Sequence, residues 1–167
     1  MATWVFCIGC SSNVTTGDFN TGAYWWNAST ATSNPLDPGN GPRFVPSFTP
    51  GDQVYWATQV DANGQNNSLV SDLRAAIGRK QGGATISSPF QQSGYSLQNA
   101  AGPISPLSVG SGTNPPDGPW MSIGPFTVVT DSGNAGKKSR YAFVLTAALA
   151  NQAQYGEDPQ MDVDNNN

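Results

Sequence analysis

The chain has 167 residues, 11% of them charged, with 19 glycines, 13 prolines and no histidine. Seven Lys and Arg against eleven Asp and Glu, with a pI near 4.4, are too few basic groups for a nucleic-acid-binding face. Without histidine the chain has neither the Ser-His-Asp and Cys-His arrangements nor a mixed Cys/His zinc site.

Low charge combined with 10% aromatic residues is the reverse of a disordered composition. It predicts one domain over residues 1–167, built from many short strands joined by long, uncharged, turn-rich loops. A weakly charged surface also lowers the barrier to self-association. The N-terminus has no basic segment followed by a long apolar run, and no stretch approaches the roughly 20 apolar residues of a membrane span. The expectation is a cytoplasmic protein.

In chain order, residues 2–10 place Trp4, Phe6 and Ile8 on one side and Val5 and Cys7 on the other, predicting a central strand buried between two layers. Residues 11–20 read as loop. Residues 23–27 are an aromatic burst, either a strand or a loop presenting Tyr24, Trp25 and Trp26 to a ligand. Prolines and glycines make residues 29–42 irregular, and residues 43–48 lead on as an edge strand broken at Pro46. Pro50-Gly51-Asp52 signals a turn, after which Val54, Trp56, Thr58 and Val60 alternate with polar or smaller neighbours, with Trp56 pointing into a core.

Residues 61–67 are turn-rich. Leu69, Val70, Leu73, Ala76 and Ile77 then recur at helical spacing before Gly78, which predicts one short amphipathic helix over residues 68–80. Within residues 81–119, positions 85–88 and 95–98 read as short strands and 105–119 as a long surface loop. Residues 120–130 place Met121, Ile123, Thr127 and Val129 on one face and Phe126 and Val128 on the other. Lys137, Lys138 and Arg140 read as a solvated turn. Residues 140–149 put Tyr141, Phe143, Leu145 and Leu149 on one face. Residues 151–158 turn the chain, and residues 160–164 close it with Met161 and Val163 inward and Asp162 and Asp164 outward. The fold class expected is all-β: an antiparallel β-sandwich, jelly-roll or Ig-like, with long loops and one short helix.

The residues able to carry chemistry are few. Cys7 and Cys10 have the C-x-x-C spacing of half a zinc site or a redox pair, but opposite parity in a strand sends them to opposite faces, so buried thiols are the favoured reading. Glu157 is the sole glutamate, and the carboxylates fall in turns or on outer faces, which disfavours a glycosidase pair. Asp61, Asn63 and Asn66 resemble a fragment of a calcium loop that lacks its bidentate Glu, and Asp162 and Asp164 add oxygen ligands. Structural turn roles are favoured there too, with calcium as the cofactor they would take. Tyr24, Trp25 and Trp26 exposed beside such a cation would make a glycan-binding face; filling the core is the competing role of the two tryptophans. The sequons at Asn13, Asn27 and Asn66 carry no weight without secretion.

Three segments bear on family. Residues 155–165 (Tyr-Gly-Glu-Asp-Pro-Gln-Met-Asp-Val-Asp-Asn) resemble the Asp-Pro-Glu-(Ile/Met)-x-Val closing strand of the PixA/AidA-type bacterial inclusion-body proteins, with Gln160 in place of the usual Glu. Residues 50–56 (Pro-Gly-Asp-Gln-Val-Tyr-Trp) are similar to that family's Gly-Asp-x-(Ile/Val)-x-Trp strand, and Tyr141 and Phe143 to its Tyr-x-Phe strand. The helical stretch and the C-x-x-C pair have no counterpart in it. The resemblance implies a non-enzymatic β-sandwich, abundant in the cytoplasm, with itself as partner in inclusions or acting in host-associated behaviour. It carries over no catalytic or site residues. The alternative is a lectin-like, carbohydrate-binding module, with or without calcium held by the ligands above.

Overall fold

The structure is a computed structural model that describes residues 1–13, 22–37, 39, 41–81, 84–86, 88–91, 99–100, 102–150, 154–157 and 159–166. The period-two alternation of large apolar residues is realised as strands packed in two sheets. The first sheet has the order β3 (Thr32–Pro35), β2 (Tyr24–Asn27), β1 (Thr3–Cys10), β5 (Gln53–Val60), β10 (Met121–Val128), β7 (Phe90–Gln91), with β9 (Ser105–Pro106) also pairing β10. The second has the order β4 (Ser47–Phe48), β13 (Gln160–Asp164), β11 (Lys138–Leu149), β6 (Val70–Gln81), β8 (Asn99–Ala100), with β12 (Gln154–Glu157) on β11.

One core joins the sheets. Phe6, Trp25, Trp56 and Phe90 enter it from the first sheet, and Phe48, Tyr141, Phe143 and Met161 from the second. Their rings meet edge-on or tilted, the geometry the aromatic quadrupole favours: Trp25 lies 5.5 Å from Phe48 and Trp56 lies 4.9 Å from Phe143, both across the sheets. Trp56 is fully buried, as its place in the alternation predicts. The turn feeding β5 closes with Asp52 N–H donating to Thr49 O at 3.0 Å, and Gly51 takes the φ of 94° that follows a proline in such a turn.

Six expectations are corrected. The sheets are mixed, not antiparallel: after β3 the chain crosses to lay β4 parallel to β13, then returns so that β5 runs parallel to β1. Residues 70–81 are not a helix but the twelve-residue strand β6, paired along β11. Leu73, Ala75 and Ile77 alternate as well as they fit a helix, and pairing with β11 decides the outcome over local propensity. The helical segments among the described residues are three-residue 3₁₀ turns at Ala62–Gly64, Asn67–Leu69 and Ser132–Asn134. In residues 29–42, Thr32–Pro35 does pair, as an edge strand where proline's missing N–H costs nothing.

The fourth correction concerns β10. A bulge between Ile123 and Phe126 adds one residue, so Ile123, Phe126 and Val128 all face the core. Gly124 sits there at φ 120°, where a Cβ would fall 2.9 Å from Val54 O. Elsewhere, residues 85, 86 and 88 are not in a strand, and Gln154–Glu157 is a strand where the sequence predicts a turn. The expected strand at 95–98 and most of the loop at 11–20 lie outside the described residues. Among the described residues no helix is long and apolar enough to cross a membrane.

Candidate functional site

The two outer faces of the pair of sheets are treated differently. That of the first sheet is covered by residues 105–120, which bury a second cluster: Val5, Cys7, Trp26, Ala28, Tyr55, Ala57, Leu107 and Trp120. Trp26 Nε1 donates to Thr113 O at 2.6 Å, Trp120 Nε1 to Pro116 O at 3.0 Å, and Asn67 Nδ2 to Pro119 O at 2.9 Å, tying this segment down. The two apolar faces of β1 are thereby explained, the second layer being this segment.

The aromatic triplet divides accordingly. Trp25 is 0% exposed in the shared core and Trp26 7% exposed beneath residues 105–120, while Tyr24 is half-buried with its ring 6.2 Å from Trp120. Trp25 offers no ring face to a sugar, and the stacking surface expected from the three together is not formed.

Cys7 and Cys10 are free, buried and on opposite faces, as parity requires. Burial pushes the Cys7 thiol well up, more than its hydrogen bond with Tyr24 lowers it. Burial likewise pushes Cys10 up to about 11, partly offset by Thr58, whose Oγ1 lies 3.2 Å from its Sγ. Neither thiol is in the thiolate form that attacks or ligates near neutral pH.

The candidate calcium ligands do not converge. Asp61, at φ 59°, accepts from Ser12 N–H at 2.9 Å and from the Ser12 hydroxyl and Asn66 Nδ2, and these bonds lower its pKa. It closes the turn after β5, and Asn63 sits in the same turn at φ 56°. Asp162 accepts a bidentate pair from Arg140, Nε at 2.6 Å and Nη2 at 2.8 Å. Asp164 accepts from Asn166. Among the described residues no group of three or more His, Cys, Asp or Glu is placed to share a metal.

A residue the sequence reading missed is Asp131. It is fully buried, and its carboxylate accepts from Thr85 N–H at 2.7 Å, the Thr85 hydroxyl, Asn134 Nδ2 at 3.0 Å and Ser139 Oγ at 3.0 Å. Burial pushes its pKa up, but these four donors outweigh it and hold the group down at about 2. Its own N–H donates to Asn165 Oδ1 at 2.8 Å, so the backbone here ties the β10–β11 connection to the residue after β13, while the carboxylate ties it to Thr85 and to Ser139 of β11. Its role is structural.

The outer face of the second sheet is different: nothing among the described residues covers it. Pairing register assembles it from three strands. Asp164, Asp162 and Gln160 of β13 stand beside Lys138, Arg140 and Ala142 of β11; Gln81, Arg79, Ala76 and Arg74 of β6 stand beside Arg140, Ala142, Val144 and Thr146. Val144, at the middle of the face, is 44% exposed. A depression of about 240 Å³ opens between Gln81, Lys138, Arg140 and Asp162.

The chain has seven Lys and Arg. Four of them, Arg74, Arg79, Lys138 and Arg140, gather here, but Asp72, Asp162 and Asp164 lie among them, making the face mixed rather than basic. Asp72 pairs with Arg74 at 2.6 Å and Asp162 with Arg140, a contact that raises the Arg140 pKa further. Among the described residues the face carries no nucleophile beside a base; it is mixed in charge, with Val144 exposed at its middle. No protein-family model matches the chain, and no curated protein matches it either.

Proposed function

We propose that the protein is a non-enzymatic, self-associating β-sandwich protein of the cytoplasmic inclusion-body type. The observation that carries this reading is the outer face of the second sheet, left uncovered by the described residues, mixed in charge and apolar at Val144, while the first sheet's outer face is covered by the chain itself. The low charge of the whole chain supports it, since little net repulsion opposes contact between copies. The non-enzymatic part is supported by the absence of histidine from the sequence and by two thiols held protonated by burial. A sandwich is supported by the core that both sheets share, and the parallel pairs β1–β5 and β4–β13 depart from the antiparallel ladders of Ig-like and jelly-roll arrangements.

Sedimentation velocity from low micromolar to near-millimolar protein tests the proposal. Larger species should grow with concentration. A single monomeric boundary at every concentration would refute it.

A further inference from the structure

We infer that the outer face of the second sheet binds a second copy of the same chain about a twofold axis running along β11, with Val144 packed beside its symmetry mate. This rests on the self-association reading and specifies its first contact.

A single exposed valine is ordinary on a protein surface. Here its setting matters. Apart from Met1, Val144 is the one large hydrophobic residue exposed among the described residues, and it lies on a central strand at the middle of an uncovered sheet. Its neighbours on the face are Ala142, Thr146 and Ala148 along β11 and Ala76 on β6, with the β6 bulge at Gly78 alongside, all short enough to let another flat surface approach closely.

Charge selects the axis. Along β11, the flank formed by β13 carries the carboxylates Asp162 and Asp164, and the flank formed by β6 carries Arg79 together with Arg74, which is paired with its own Asp72. A twofold axis in the plane of the face and parallel to β11 exchanges the flanks. It lays the carboxylate edge of each copy over the guanidinium edge of the other, so that Arg79 reaches toward the partner's Asp162. An axis across the strands would instead set Arg79 of each copy over Arg74 of the other, guanidinium against guanidinium. The like charges brought near the chosen axis are tempered, because Arg140 is held by its own Asp162 and Lys138 stands beside Asp164.

The area suits a weak, concentration-dependent contact. Strands β6, β11 and β13 have 12, 12 and 5 residues, and at about 3.3 Å per residue and about 4.8 Å between strands each copy can bury about 460 Å² and the pair about 900 Å², in the range of transient interfaces.

Three variants test the interface. Val144→Cys should form a disulfide-linked dimer on mild oxidation, while Thr30→Cys, exposed on the β2–β3 turn, should not; the native cysteines are buried and silent. Val144→Lys should sediment as a monomer with an unchanged thermal midpoint, since the side chain is at the surface. Arg79→Glu should raise the dimer Kd at least tenfold at low salt. Association of wild-type protein that Val144→Lys leaves intact, with no cross-linking of the Val144→Cys protein above the Thr30→Cys control, would overturn this interface while leaving self-association standing. Wild-type protein that stays monomeric throughout would overturn both.

Discussion

Replacing Asp131 with Asn removes a charge at almost constant volume, and the surroundings of this side chain say what that should cost. The carboxylate accepts four hydrogen bonds, three of them on Oδ2 from Thr85 N–H, Asn134 and Ser139, and one on Oδ1 from the Thr85 hydroxyl. With the amide oxygen kept at the Oδ2 position, the Thr85 hydroxyl can turn to accept from Nδ2, so what the variant loses is the charge on the acceptor of the three remaining bonds. Hydrogen bonds to a charged group contribute about 1.5–3 kcal/mol against about 0.5–1.5 kcal/mol for neutral ones, and the variant should lose about 2 kcal/mol. Protonation supplies an independent reading. The group's pKa falls from the ordinary 3.8 to about 2 in the folded protein. At about 1.4 kcal/mol per pH unit this amounts to about 2 kcal/mol. The sign follows from proton uptake: below pH 3.8 the unfolded chain binds the proton first, so the contribution is complete above that value and fades as pH falls toward 2. Urea denaturation of wild-type and Asp131→Asn protein at pH 7 and across pH 4 to 2 measures both effects. The variant should have a lower midpoint at pH 7, and the difference between the two proteins should shrink as the pH is lowered. Equal midpoints at pH 7, or a difference independent of pH, would refute the reasoning.

Trp25→Ala should destabilise by about 3–5 kcal/mol in chemical denaturation, because it opens a cavity where the two sheets meet; a loss under about 1 kcal/mol would mean the ring is not in the core. Gly124→Ala should cost about 2 kcal/mol or more, since φ 120° is strained for alanine and its Cβ would press on Val54 O, and an unchanged thermal midpoint would count against the bulge. Both thiols should resist an aromatic disulfide reagent at pH 8 until the protein is unfolded, and rapid labelling of native protein would contradict their burial. Because Cys10 holds its proton to about 11 in the folded state against an ordinary 9.0, stability should decline as pH rises through that interval, and Cys10→Ser should flatten the decline.

The strands that could be read from the sequence are those whose surroundings obey one period from end to end. β5 and β11 keep unbroken alternation, and Trp56, Tyr141, Phe143 and Leu145 are in the core their parity assigns. β1 is legible on both faces, although what covers its second face is residues 105–120, a stretch whose prolines and glycines read only as loop. Where a bulge inserts a residue, parity inverts and the reading fails. This is the case at Ile123–Phe126, which sends Phe126 and Val128 to the opposite side of β10 from the expected one. In β6 two register shifts against β11, at Ser71 and Gly78, leave only the short alternating run Leu73, Ala75 and Ile77 between them, in a segment whose Leu, Ala and Arg suit a helix. The parallel β1–β5 pair depends on a crossing through the other sheet, which no local pattern records.

The outer face of the second sheet is illegible for a related reason. Its residues come from β6, β11 and β13, and reading residues 68–80 as a helix removes the flank that carries Arg74 and Arg79. Half of the signal is nevertheless present in β11. Once Tyr141, Phe143 and Leu145 are assigned inward, the outward positions run Lys138, Arg140, Ala142, Val144, Thr146 and Ala148. Charged, small and hydroxyl-bearing side chains suit water, and Val144 alone does not. Asp162 points the same way: its parity predicts an outer face at the chain's end, and it is there, but locked to Arg140 and nearly closed from solvent. A carboxylate so held keeps its charge in place on the β13 side of β11. With Arg79 on the β6 side, the face has a left and a right, and such a face is complementary to its own copy turned about an axis between them.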